Sequence, residues 1–247
     1  MDPKFYTLPP IPWPYVLVNA NNPNLAYIRK NWRQIDSVII DSGVEIFKDP
    51  RVKDYPEGWI GRLVELYNAI RPWVKEVWVT VPDYPDDYHP KSLWLDGKTN
   101  IERTIDNVIK ALDAYPKVNW LIPIQGHNRD PISLLKSIKY LRELGITETR
   151  EYFAVANLCV ESKTELIVKS VGLVRQELPN KKLHVFGIKL NALKKISHLI
   201  DSFDSFAWTR PVKKPGHSAK TLEERRKYFY EWLDRLKEVI PKVDGLL

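Results

Sequence analysis

The chain holds one cysteine, Cys159, in 247 residues. That excludes an intramolecular disulfide and any zinc site built on several cysteines. A lone thiol fits a reducing compartment, so the expected location is cytoplasmic. The 5 histidines show no paired spacing, so neither a metal site nor a cofactor is expected, and His127 and His184 read as structural or solvent-facing. No apolar run approaches the ~20 residues that cross a bilayer, so no membrane partner is expected. The opening MDPKFYTLPPIPWPY has no basic stretch followed by an apolar one, which argues against a signal peptide. No strand is followed by G-x-G-x-x-G and no P-loop occurs, which disfavours the nucleotide-binding versions of an open α/β sheet.

What is present is a core and a positive charge. Hydrophobic residues make up 44% of the chain, enough for one sizeable domain. The 38 basic residues exceed the 31 acidic ones, giving +7. That balance is compatible with a polyanionic partner such as nucleic acid. The 9 tryptophans and 12 tyrosines are able to stack on bases, although core packing accounts for most aromatics.

Apolar runs alternate with helical periodicity along the chain. Strands are expected at Tyr15–Asn19, Val38–Ile40, Val77–Val81, Trp120–Ile124, Phe153–Ala156, His184–Ile188 and Ser202–Phe203. Helices are expected over about 25–32, 58–70, 99–114, 131–144, 162–177, 191–198 and 220–240. The strands are continuously apolar, the mark of a parallel sheet covered on both faces. The expected fold is therefore α/β, a TIM-type (β/α)8 barrel. Seven strands are visible where a barrel needs eight. Either FYTLPPI hides the eighth or the barrel is incomplete, and a doubly wound sheet is the structural alternative. The whole of 1–247 reads as one domain, with an N-terminal arm at 1–14 and a C-terminal loop and helix at 212–247.

The strands end in polar residues: Asp41, Asp83, Gln125, Asn157, Lys189 and Asp204. In a parallel barrel such ends share one face, where active sites are built. Each has a plainer explanation by itself. Asp41-Ser42-Gly43 is ordinary turn chemistry, and Lys189 suits an ion pair with a neighbouring aspartate. Their succession is what points to a site.

In that order the segments IIDSG (39–43), VTVPDYP (79–85), IPIQG (122–126), YFAVANL (152–158), HVFGI (184–188) and SFDSFAWTRP (202–211) resemble the tRNA-guanine transglycosylases. Among their relatives are enzymes that insert 7-deazaguanines into DNA. The resemblance spans about 37–211. It implies base exchange through a covalent aspartyl-sugar intermediate, without a cofactor. It casts Asp204 as the nucleophile and Asp41 as general acid/base. Asp83 and Gln125 would read the guanine edge. Ser42, Gly43, Gly126, Asn157 and Leu158 would line the pocket. Independently of the resemblance, Arg210, Lys213 and Lys214 follow Asp204 closely and, with Lys189, are placed to contact phosphate, a solvated loop being the plainer alternative.

The sequence departs from the family at Val44, where a second glycine is usual, and at Ala156-Asn157, which stands for Gly-Gly. The family's zinc-binding cysteines have no counterpart after Asp204, so no zinc subdomain is expected and DNA is favoured over tRNA. The base would be guanine or a 7-deazaguanine. Two other readings stay open. One is a noncatalytic nucleobase-binding or nucleic-acid-binding barrel, its pocket blocked by Val44, Glu45 or Trp208. The other is an unrelated barrel enzyme acting on a small metabolite, with Lys189 available as a Schiff base.

Overall fold

The computed structural model describes residues 3–86, 96–158, 161, 163–209 and 221–240. Eight parallel strands follow in chain order. They are β1 (Lys4–Tyr6), β2 (Tyr15–Val18), β3 (Ser37–Ile40), β4 (Glu76–Thr80), β5 (Trp120–Ile124), β6 (Tyr152–Val155), β7 (Lys182–Val185) and β8 (Ser202–Asp204). The sheet order is β1-β8-β7-β6-β5-β4-β3-β2. A parallel bridge from Thr7 to Val16 joins its two ends. There Thr7 N donates to Tyr15 O at 3.1 Å, and Leu17 N donates to Thr7 O at 2.9 Å. The fold is the expected α/β barrel. Its eighth strand lies in the segment read as an N-terminal arm, where Lys4–Tyr6 pairs with Ser202–Asp204.

The strands alternate between the barrel interior and the helix layer, as a period of two requires. Phe5 and Phe203 point outward and stack at 5.2 Å. Phe5 also meets Trp232 at 4.6 Å, on α8 (Leu222–Val239). The intervening side chains point inward and are polar or aromatic. Tyr6 Oη and Ser37 Oγ lie 2.7 Å apart, and Lys4 pairs with Glu76 at 3.1 Å at the end where the strands begin.

The helices are α1 (Leu25–Asn31), α2 (Trp59–Ile70), α3 (Asn100–Ala114), α4 (Leu134–Glu143), α5 (Ile146–Thr149), α6 (Thr164–Glu177), α7 (Leu190–Ile196) and α8. Thr99 and Glu102 form a capping box at α3, and Thr221 and Glu224 form one at α8. In each, the hydroxyl and the carboxylate satisfy backbone N–H groups that the first turn would leave orphaned. The α3 residues Ile101, Ile105, Val108 and Ala111 are buried against the barrel.

Residues Val44–Lys48 form a 3-10 turn, and two local expectations change. The helix expected over 131–144 begins as a 3-10 turn at Pro131–Ser133, and the unanticipated α5 follows Gly145. Strand β7 ends at Val185, and Gly187 turns the chain with φ 61°. Lys189 is therefore the N-terminal flank of α7 and not a strand end. Among the described residues no helix is long and apolar enough to cross a membrane, and no cluster suited to a metal is found.

Candidate functional site at the carboxyl ends of the strands

The turn after β3 joins two of the acids. Gly43 adopts φ 83°, a left-handed conformation that glycine takes without strain. The turn brings Gly43 N to Asp41 Oδ1 at 2.9 Å, and Ala20 N reaches the same oxygen at 3.1 Å. Ser42 Oγ donates to Asp83 Oδ1 at 2.7 Å, so the ends of β3 and β4 are tied together. Trp59 Nε1 donates to Ser42 O at 2.9 Å, and Tyr55 Oη to Asp83 O at 2.8 Å. The turn reading of Asp-Ser-Gly and the site reading thus describe the same residues.

Burial pushes the Asp41 carboxyl up to about 7, against its two N–H bonds, with the charges of Glu45 and Asp204 adding to the rise. Burial likewise raises Asp83 to about 6, against the bond from Ser42. Loss of hydration disfavours the charged form, and a neighbouring like charge disfavours it further. That Asp204 acts on Asp41 links the ends of β8 and β3, which stand three strands apart around the ring.

Asp204 closes β8 and is 2% exposed. Its Oδ1 accepts from Gly187 N at 3.1 Å and lies 3.2 Å from His184 Nε2. His184 is fully buried and its Nδ1 lies 2.6 Å from Ser202 Oγ. Ser202 Oγ in turn meets the hydroxyl of Tyr152. His184 is therefore a buried, hydrogen-bonded residue and not a solvent-facing one. Its contacts with Ser202 and Asp204, and that of Ser202 with Tyr152, were not foreseen from the sequence. The available signal was a histidine inside an apolar strand, which needs a partner for each ring nitrogen.

Gln125 is fully buried. Its Nε2 donates to Gly126 O at 3.0 Å, while its Oε1 has no partner. Gln125 thus presents an unpartnered acceptor, while its Nε2 carries a second N–H. Thr80, one strand earlier, is also fully buried with its hydroxyl unpartnered.

Gly126, Asn157 and Leu158 group apart from the acids. They line a cleft between the ends of β5 and β6 with His127, Arg129 and Glu161, with room for about one water (about 10 Å³). A Cβ on Gly126 would stand 2.9 Å from Leu134 Cδ2, so the glycine serves the close approach of α4. Asn157 has φ 64° and a buried Oδ1 without a partner. Lys189 Nζ donates to the Glu161 carbonyl at 3.0 Å, the contact seen where an ion pair with aspartate was expected. Of the residues named as possible blocks, Glu45 is held by Asn19 at 2.8 Å, and Trp208 Nε1 donates to Thr7 at 3.0 Å. Arg210, Lys213 and Lys214 lie outside the described residues.

A scan against protein-family models and a search of curated proteins find no match. Solved structures align with this chain at low identity and low TM-score. The active domain 2 of a chitinase from Pyrococcus furiosus is 11% identical with a TM-score of 0.40, over 95% of this chain and 97% of that one. The biosynthetic arginine decarboxylase of Campylobacter jejuni is 9% identical with a TM-score of 0.34, over 93% of this chain and 32% of that one. Rhizobium etli pyruvate carboxylase is 14% identical with a TM-score of 0.37, over 89% of this chain and 22% of that one.

Proposed function

We propose that this protein is a transglycosylase-like enzyme that exchanges guanine for a 7-deazaguanine in nucleic acid, with DNA favoured over tRNA. One observation carries the reading. Burial holds Asp41 up to about 7, with the charges of Glu45 and Asp204 adding to the rise, while Asp204 is anchored by Gly187 N and His184. A buried carboxyl that keeps its proton, beside a carboxyl fixed by two partners, suits an acid and a nucleophile.

The chemistry follows from that division. The Asp204 carboxylate attacks C1′ of the nucleotide, and the C1′–N bond breaks with its electron pair leaving on the base. Protonated Asp41 delivers a proton to a ring nitrogen of the departing guanine. The sugar stays on Asp204 as an ester, shielded from loss to water. Asp41, now a carboxylate, takes the N9 proton of the entering base. That nitrogen attacks C1′ and releases Asp204. Two displacements retain configuration. The target nucleotide must leave its stack to reach such a site. Asp83 and the unpartnered Gln125 Oε1 both offer acceptors, which suits the N1–H and 2-amino edge of a guanine-like base.

The test is incorporation of labelled guanine, preQ0 and preQ1 into duplex DNA, single-stranded DNA and tRNA. Wild type should incorporate label into at least one polymer, and Asp204→Ala should lose at least about 10³-fold. Undiminished exchange by the variant would remove Asp204 from its role.

A further inference from the structure

Beneath Asp204 lies a polar file that the proposed chemistry does not use directly. In β7 and β8, His184 and Ser202 are register partners whose side chains meet inside the barrel. Asp204, two residues beyond Ser202, is the next inward position on its strand. Tyr152 enters from β6. All four are at most 4% exposed. The His184 ring is also flanked edge-on by Phe186 at 4.7 Å and by Tyr6 at 5.9 Å.

With Asp204 ionised and the imidazole neutral, the hydrogen-bonding capacities admit one order. A carboxylate only accepts, so His184 Nε2 carries the hydrogen. In a neutral imidazole Nδ1 is then an acceptor, and Ser202 must donate to it. The remaining acceptor capacity of Ser202 takes the hydroxyl of Tyr152. Burial raises the Tyr152 phenol above its ordinary value, so it remains a donor. The file thus runs Tyr152 to Ser202 to His184 to Asp204, each O–H or N–H pointing toward the carboxylate.

We propose that His184 is a positioning residue. Set in its Nε2–H tautomer by Ser202 and Tyr152, it fixes Asp204 Oδ1 together with Gly187 N, and it leaves Oδ2 as the oxygen that attacks the sugar. Two donors on Oδ1 restrain rotation of the carboxylate and draw charge toward that oxygen. The attacking oxygen is thereby set in one place before substrate arrives, where a misplacement of about 1 Å costs about 10²-fold in rate. The attack rests on Asp204 being the nucleophile, while the tautomer does not.

The experiment therefore has two arms. In the first, the full chain labelled with ¹⁵N-histidine is read by NMR near neutral pH, with His184→Phe assigning the signal. A neutral ring protonated on Nε2 is expected in wild type. Ser202→Ala should shift the ring toward a mixture of tautomers. A ring protonated on Nδ1, or an imidazolium, would overturn the tautomer and the file with it. This arm needs no activity, so it separates the inference from the proposed reaction.

In the second arm, base exchange is compared at saturating base. His184→Phe should lower kcat about 10²-fold with little change in KM for the base. His184→Gln, whose amide is able to reach the same oxygen, should recover most of that loss. Ser202→Ala should fall between the two. An unchanged kcat in His184→Phe, or a loss appearing in KM alone, would contradict the positioning role. If His184→Phe does not fold, Ser202→Ala and the wild-type spectrum still decide.

Discussion

Asp41 makes its protonation a measurable property of the fold. Below a pH of about 4 both the folded and unfolded chains hold the proton. Between about 4 and the folded value of about 7, the unfolded chain releases it and the folded chain keeps it. The folded state binds more protons there, so stability falls as pH rises through this window, and the cost is complete above it. Asp83 adds the same trend up to about 6. Asparagine keeps the acceptor for Ala20 N and Gly43 N but cannot ionise. Asp41→Asn should therefore stabilise the protein at pH 8 by on the order of 1–2 kcal/mol, discounted because Asp41 is not fully enclosed. At pH 4 the two proteins should be nearly equal in urea melts. A variant less stable than wild type at pH 8 would show that the carboxylate is welcome there. His184 illustrates what a residue hides in one dimension. Its partner Asp204 is 20 positions away, and only parallel register brings the two together.

The elements that hold the acids are short, and one of them depends on a glycine. A Cβ at Gly43 would stand 2.7 Å from Trp59 Cζ2, at a φ of +83°. Trp59 stacks on Tyr55 at 6.0 Å, and Tyr55 holds the Asp83 carbonyl at 2.8 Å. Gly43→Ala should cost about 1–3 kcal/mol in thermal or denaturant unfolding and should alter the near-ultraviolet circular dichroism of Trp59. Unchanged stability and spectrum would mean that the turn has slack. The long apolar strands and the helices α3 and α8 were legible in the sequence, because burial on both faces and a helical period leave local signals. Strand β1 was not clearly legible. It has 3 residues, and Lys4 and Tyr6 face a polar interior, which breaks the apolar run. The 3-10 turn at Val44–Lys48 and the 4-residue α5 are too short to carry a period.

At the scale of the molecule, closure is what turns scattered strand ends into a site. The Thr7–Val16 bridge completes the ring, so β3 and β8 face one mouth although 163 positions separate Asp41 from Asp204. Closure brings the ends of β3 and β8 within electrostatic reach, and Ser42 ties the end of β3 to Asp83. The sequence did not foresee that Gly126, Asn157 and Leu158 would line a separate small cleft with Lys189 bonded at its wall. That division follows from α4 packing onto Gly126, a contact between elements that no local pattern announces. The central claim is covalent attack by Asp204, and intact-mass spectrometry tests it most directly. Wild type and Asp204→Ala are incubated with guanine-containing DNA, quenched by denaturation and weighed. Wild type should carry a DNA adduct that maps to the peptide holding Asp204, and the variant should carry none. Base exchange proceeding with no adduct, or an adduct that persists in Asp204→Ala, would contradict the account.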